Sequence, residues 1–486
     1  MVSTASSLRG LTVRLVALIA AVHLAGCTAI QDGTGVNPTG PGSQLISAPQ
    51  PGQIPEHDRV VDNYGGIYRS PSMERTIAAM TGRLVAASAD PSQSYRITIL
   101  NSPTVNAFAL PGGLLYVTRG LLALANDASE VAAVLAHEMA HVTASHGVAR
   151  QRRAEATALV NRVLANVVRD PDAAKAALTS TQLSFARFSQ IQELQADKTG
   201  IRTLAGAGYD PFAASRFLNS MGQFAGLQWS ASAASNKPDF LSSHPTTPER
   251  VNEAVLSARQ IGAPGLGRTD QDAYLGHLSG LLFGDDPTEG FVRGRRFLHK
   301  ALRIAFSVPD GFILENTSRA VLATDGGNIA MRFDGVDLEP ELSLTAYLKS
   351  GWLNGLAADS IRTSSRNRLR VATASAVTQG WSFRIALFRT NRQVYRFIFA
   401  TRKPDASFER AFEITQKSFA RLTRAQAVAL RPLKVQVVVV RVGQTVDTFA
   451  RRMRGTDKAR QLFLVLNGLN GNAPLKPGSK VKIIVD

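Results

Sequence analysis

The sequence predicts an α+β protein. A mainly helical first half leads into an antiparallel sheet backed by helices, and a short strand–helix–helix–strand unit ends the chain. Three observations carry this. Apolar residues recur at helical spacing from Ser129 to His141, and a second helix-forming stretch runs from about Leu183 to Leu204. Period-two alternation takes over at Ile329–Phe333, Trp381–Phe388 and Val394–Ala400. In the last 55 or so residues, two apolar strands flank two short helices, punctuated by Gly and Pro turns.

At 486 residues the chain allows two or three domains beyond its start, with expected boundaries 1–26, 27–58, 59–286, 287–430 and 431–486. Arg9 and Arg14 precede a ten-residue run, Leu15–Leu24, that is apolar but for His23, too short to span a bilayer and suited to the core of an export signal. The run ends in Leu24-Ala25-Gly26-Cys27, which resembles a bacterial lipoprotein cleavage box. Cys27 is the only cysteine, so no disulfide can form within the chain, and lipid attachment explains the lone thiol. Thr28 follows it where Asp often retains such proteins in the inner membrane. The expected location is therefore the periplasmic side of the outer membrane, anchored by lipid; a soluble periplasmic protein is the alternative. From Thr28 to about His57 the chain is rich in Gly, Pro, Ser and Gln and reads as a flexible tether.

The chemistry concentrates in His137-Glu138-Met139-Ala140-His141, an H-E-x-x-H pattern inside an apolar helix. Positions i and i+4 share one helix face, so both imidazoles can reach a single zinc ion. Glu138 lies one residue round, where it can take a proton from a water that the metal activates. Asp127 or Ser129 would cap this helix. A catalytic site needs a third ligand. Ala144 and Gly147 stand where the metzincin extension would place Gly and His, which excludes that form. Glu193 and Asp197, one helical turn apart, fit better: Glu193 as ligand, Asp197 accepting the free ring N–H of a ligand histidine. His244, before Pro245, and Arg250, just inside a helix opened by Pro248, either converge on the metal or remain an exposed loop histidine and a surface arginine.

In this order, His137-Glu-x-x-His141, Glu193-x-x-x-Asp197 and Ser243-His244-Pro-x-x-x-x-Arg250 resemble the gluzincin family of the CAAX-prenyl proteases, in its soluble periplasmic branch. Asn106-Ala107-Phe108-Ala109-Leu110-Pro111-Gly112-Gly113 is similar to the strand that precedes that family's metal helix. The likeness covers roughly Arg59 to Gly262. It implies one zinc per chain held by His137, His141 and Glu193, with Glu138 as general base. His244 would gate the fourth position or stabilise the oxyanion, supported by Arg250. Asn106, Ala107 and Phe108 would pair with an extended substrate by strand addition. Gln190 departs from the family, which often has Arg there.

Charge divides the chain. Residues 1–286 hold 22 Lys+Arg against 22 Asp+Glu, so the whole excess of +18 falls in 287–486. That asymmetry predicts an anionic partner for the second half, peptidoglycan or another envelope polymer. Nucleic acid is excluded by the export signal and by the lack of a zinc finger, recognition helix or aromatic RNA motif. A helix is expected at Pro404–Leu422, with Phe408, Ala411, Phe412, Thr415, Phe419 and Leu422 on its apolar face, and Phe306–Phe312 reads as strand. This module loosely resembles PsbP-like envelope domains. The final unit resembles the LysM module in Gly443-x-Thr445, Asn467-Gly-Leu469 and Leu475-x-Pro-Gly478. It departs at Gln444, Val446 and Asp447, so it either binds glycan or serves only as a scaffold. No 34-residue helical repeat is found.

Within the first half, Ala149–Thr181 reads as helical cover that acts as a lid or as plain packing, and 222–239 as a mobile stretch that would let His244 move. The expected protein is a zinc endopeptidase of the bacterial envelope acting on misfolded or stalled envelope proteins. The alternative is an assembly chaperone or wall-binding adaptor with a gated, largely silent site. A peptidoglycan hydrolase is the third reading, disfavoured because an edge strand suits peptide bonds in proteins.

Overall fold

The computed structural model describes residues 55–155, 171–229 and 244–486, apart from 318, 367–368, 391–392 and 472–473. The expected signal, Cys27 and the tether up to residue 54 lie outside these residues. So do 156–170 of the expected lid and 230–239 of the expected mobile stretch. Helix α1 (Pro55–Asn63) begins inside the stretch expected to be tether. His57 gives it an anchor: the ring is 2 % exposed and its Nδ1 lies 2.9 Å from Tyr116 Oη.

Helix α2 (Pro71–Ala87) buries the stripe Met73, Ile77, Met80 and Leu84. Strands β1 (Arg96–Leu100), β2 (Ala107–Leu110) and β3 (Leu114–Thr118) follow. They form one sheet in the order β1-β3-β2, with β1 parallel and β2 antiparallel to β3. The β2–β3 turn needs glycine at Gly113: its φ is +79°, and a Cβ there would meet Ser94 O at 2.0 Å. After the short helix α3 (Arg119–Leu124) comes α4 (Ala128–Thr143). Asp127 caps α4, its Oδ1 accepting from Glu130 N at 2.9 Å. Every residue from Ala128 to His141 is buried, so this helix is the spine of the core and not an amphipathic surface element.

Around it pack α5 (Pro171–Gly206), α6 (Ala213–Trp229), α7 (Pro248–Arg259) and α8 (Gln271–Leu278). Helix α5 can press against α4 because residue 200 is glycine. A Cβ there would stand 3.0 Å from His137 N and 3.2 Å from the Ala136 carbonyl carbon.

The second half is built of antiparallel strands, as the alternation predicts. Strands β4 (Leu282–Phe283), β5 (Phe291–Arg293), β6 (Arg296–His299) and β7 (Ile304–Ser307) come first. Then follow β8 (Ile313–Asn316), β9 (Val321–Thr324), β10 (Ile329–Asp337), the short helix α9 (Leu344–Leu348) and β11 (Arg362–Arg366). Strands β12 (Leu369–Thr378), β13 (Trp381–Thr390) and β14 (Gln393–Thr401) complete a seven-stranded sheet in the order β11-β12-β13-β14-β10-β9-β8. Gln379 and Gly380, both with positive φ, make the two-residue turn between β12 and β13. Helix α10 (Ala406–Ser418) is shorter than expected. Phe419 and Leu422 are buried beyond its end, because the chain extends into β15 (Ala420–Arg421), which pairs with β7. Phe306–Phe312 is likewise strand only to Ser307; the turn at Pro309-Asp310-Gly311 ends it, with Gly311 at φ +84°.

Helix α11 (Arg424–Ala429) leads to β16 (Leu433–Val439), α12 (Val446–Ala450), α13 (Ala459–Leu466) and β17 (Lys480–Val485). Strands β16 and β17 pair antiparallel, and β4 adds to β16. Phe449, Phe463 and Ile483 join the same hydrophobic core as Leu121, Val131 and Leu135.

Candidate metal centre

Helix α4 aims three side chains at one buried point. His137 and His141, one turn apart, bring their Nε2 atoms to 3.0 Å. Helix α5 supplies Glu193, with Oε2 3.3 Å from His137 Nε2 and Oε1 3.4 Å from His141 Nε2. The loop before α7 supplies His244, with Nδ1 3.3 Å from His137 Nε2 and 2.7 Å from Glu193 Oε2. All four residues are buried, and their ligand atoms lie within 4.8 Å of one another.

These distances test the metal directly. Ligands about 2.0–2.1 Å from a tetrahedral zinc sit about 3.3 Å from each other. The cluster has that spacing in three of its edges, His137–Glu193 and His137–His244 at 3.3 Å and His141–Glu193 at 3.4 Å. Two imidazole nitrogens at 3.0 Å also repel unless a proton or a cation lies between them. Two imidazoles, a carboxylate and a third imidazole are a borderline donor set that suits zinc. The residues fit a zinc site.

Partners beyond the ligands orient them. Asp197 Oδ1 lies 2.8 Å from His137 Nδ1, the carboxylate–histidine contact that fixes a ligand's tautomer. Arg250, 1 % exposed, holds that carboxylate with two parallel bonds of 2.8 Å from Nε and Nη2. Its Nη1 donates to Pro245 O at 3.0 Å, which ties down the His244 loop, and lies 3.3 Å from Glu193 Oε2. Thr247 caps α7 by accepting from Arg250 N, and Pro248 opens the helix. Gln190 contacts Glu249 instead of the ligand set, at 2.5 Å, so Arg250 and Arg150 are the cations beside Glu193.

The electrostatics follow. Burial pushes Glu193 up, but hydrogen bonds from His137, His141 and His244 outweigh it and hold the carboxyl far below its usual range. Burial also opposes ionisation of Asp197, yet the Arg250 bonds bring it down to about 2. Desolvation disfavours a charged His137, but Asp197 and Glu193 win and raise it to about 9. Burial lowers His141 to about 3. Glu138 is raised by burial; its Oε1 makes no hydrogen bond among the described residues and lies 3.5 Å from His244 Nε2. A buried carboxylate with a raised pKa, beside the metal ligands, is equipped to accept a proton.

Strand β2 is an edge of its sheet and lies against α4. Thr118 N donates to Asn106 O across to β3. By alternation, Phe108 also faces β3, while the backbone groups of Ala107 and Ala109 face the open edge. The side chain of Asn106 is buried and donates to Tyr64 Oη at 3.1 Å. Ala107 is buried too, and Phe108 stacks on Tyr116 and lies tilted against Tyr64. Along its open edge this strand presents backbone.

Sequence reasoning missed His146 and Arg150. Both contact His141 Nδ1, at 2.9 and 3.1 Å. In an unbroken helix they would point away from His141, five and nine residues on. They return because α4 ends and Ser145 takes φ +51° before helix resumes over 146–155. No pattern in the sequence announces that break. Cys27 lies outside the described residues.

Residues 71–257 match Peptidase family M48. The "Beta-barrel assembly-enhancing protease" of Escherichia coli (strain K12) is 31% identical over 221 residues, 43% of this chain and 43% of that protein. A "Putative beta-barrel assembly-enhancing protease" of Vibrio cholerae is 32% identical over 213 residues, 42% of each chain. The "Mitochondrial metalloendopeptidase OMA1" of Arabidopsis thaliana is 32% identical over 194 residues, 37% of this chain and 36% of that one. The chain thus spans less than half the length of these curated relatives. Among solved structures, cyanobacterial PsbP from Synechocystis covers 28% of this chain and 98% of its own, at 13% identity and a TM-score of 0.23; that similarity assigns no fold. The matched segment contains the H-E-x-x-H helix, Glu193 and His244, so 71–257 carries an M48 zinc metalloendopeptidase site.

Proposed function

We propose that this protein is a zinc endopeptidase of the bacterial envelope that cleaves misfolded or stalled envelope proteins presented as extended strands. The observation that carries the reading is the buried cluster His137, His141, Glu193 and His244 with Glu138 beside it. When bound, zinc polarises the scissile carbonyl and makes water a nucleophile near neutral pH. His137, His141 and Glu193 would hold the ion; Asp197, steadied by Arg250, fixes His137. Glu138 takes the proton from the attacking water and passes it to the leaving amine. The outward backbone of Ala107 and Ala109 binds substrate as an added strand running past α4.

His244 is the gate. Its Nδ1 completes the fourth corner of the cluster, so it must move aside, or turn its ring to the oxyanion, for substrate to reach the metal. The same contact favours a second reading, an assembly chaperone or adaptor whose site stays closed. The names of the bacterial relatives and the expected lipidation of Cys27 support an address at the outer membrane, facing the periplasm. The basic 287–486 half would hold an anionic envelope polymer, and its LysM-like end would bind glycan or act as scaffold.

The test compares residues 28–486 with Glu138→Gln and His244→Ala on unfolded casein. Cleavage is lost in the first variant and retained or raised in the second. If Glu138→Gln restores growth to cells lacking the protein as well as wild type does, the adaptor reading replaces proteolysis.

A further inference from the structure

The two ligand histidines are oriented in different ways. His137 presents Nδ1 to the anionic Asp197, whereas His141 has no carboxylate at its Nδ1 among the described residues. With Nε2 turned to the cluster, His141 carries its hydrogen on Nδ1 and needs an acceptor there. Two groups lie within reach: His146 Nδ1 at 2.9 Å and Arg150 Nη2 at 3.1 Å. A guanidinium has donors only, so it cannot serve an N–H. That leaves His146, which must then carry its own hydrogen on Nε2. Nε2 faces Gln195 Oε1 at 3.3 Å, an acceptor on α5 two residues past Glu193.

The backbone is bent to permit this. Ser145 is not glycine, yet it adopts φ +51°, a conformation that L residues occupy only when their surroundings impose it. The break turns the chain so that His146, 3 % exposed, lies back across the His141 ring with centroids 4.9 Å apart.

We infer that His146 is a positioning residue of the zinc site, holding His141 in its ligating tautomer through the chain His141 Nδ1–H to His146 Nδ1 and His146 Nε2–H to Gln195 Oε1. This rests on the zinc reading of the cluster. His146 touches neither substrate nor metal; it acts through His141. Arg150 cannot donate to a protonated Nδ1; its charge is paired with Glu193, whose Oε1 lies 3.6 Å from Arg150 Nη1.

The experiment measures zinc affinity of the full chain by competition with a chromogenic chelator. His146→Phe keeps a ring of similar volume and removes the acceptor; it weakens zinc by about 10–100-fold, the usual cost of losing such a partner. His146→Asn, whose Oδ1 replaces Nδ1, restores most of that loss. Gln195→Glu, at an exposed position that leaves folding intact, tightens zinc by making the end of the chain anionic. Cobalt substitution adds a spectroscopic check, since the d–d bands shift in His146→Phe and not in His146→Asn. Equal affinity in His146→Phe and wild type, or an Asn variant no better than Phe, overturns the inference. Should His146→Phe fail to fold, an unchanged affinity in Gln195→Glu overturns it. Wild type that binds no zinc overturns the zinc site itself, a distinct result.

Discussion

His137 shows how much one residue's surroundings decide. Stripping the metal with a chelator leaves it between Asp197 and Glu193, where their charges outweigh burial and it holds a proton up to about pH 9. Zinc must displace that proton. Apparent zinc affinity is therefore expected to rise about tenfold per pH unit below pH 9 and level off above it. Calorimetry in buffers of different ionisation enthalpy should show about one proton released per zinc at pH 7; an affinity that does not change with pH contradicts the assignment. The sign for folding is the reverse. The raised value stabilises the stripped protein fully below the ordinary 6.5, and this contribution fades as pH rises through about 9. His137, His141 and Glu193 were legible in the sequence, because H-E-x-x-H and E-x-x-x-D map onto single helical turns. His244 was legible only as one of two alternatives until its loop was seen pinned by Arg250. His146 and Arg150 were not legible, since their approach depends on one left-handed residue.

Among the elements, β2 carries the most specific expectation. Ala109→Pro removes a backbone donor that faces the open edge, and an edge strand tolerates proline where a central one does not. The expected result is a drop of about tenfold in kcat/KM on an unfolded protein, the loss of about one backbone bond, with zinc content unchanged. An unaltered kcat/KM means that substrate does not pair there. Long periodic elements were readable: α4, β10, β13 and β14 all lie where alternation or helical spacing put them. Strand β12 was missed because its buried face is mostly alanine, Ala372, Ala374 and Ala376, which alternates weakly against Thr and Ser. Helix α10 was read four residues too long at its C-terminal end because Phe419 and Leu422 keep the apolar pattern after the backbone has become extended.

At the scale of the whole molecule, the C-terminal unit belongs physically to the peptidase core. Lys482, 1 % exposed, donates to the carbonyls of Ala123, Leu124 and Ala125, the open end of α3 just ahead of the metal helix. Burial brings its ammonium down to about 7, while Glu130 and Asp127 nearby favour the charge. Lys482→Met leaves three buried carbonyls without their donor and should cost roughly 2–4 kcal/mol in urea unfolding. Removing 431–486 should leave the remaining chain insoluble or unable to bind zinc; a soluble, zinc-loaded fragment contradicts this. No helix among the described residues is long and apolar enough to cross a membrane. The most direct test of the central claim is cleavage of unfolded casein by the full chain before chelation, after it, and after zinc is restored. The account predicts that cleavage stops with chelation and returns with one equivalent of zinc, and that Glu138→Gln stays inactive throughout. Cleavage that survives chelation, or a fully active Glu138→Gln, would contradict it.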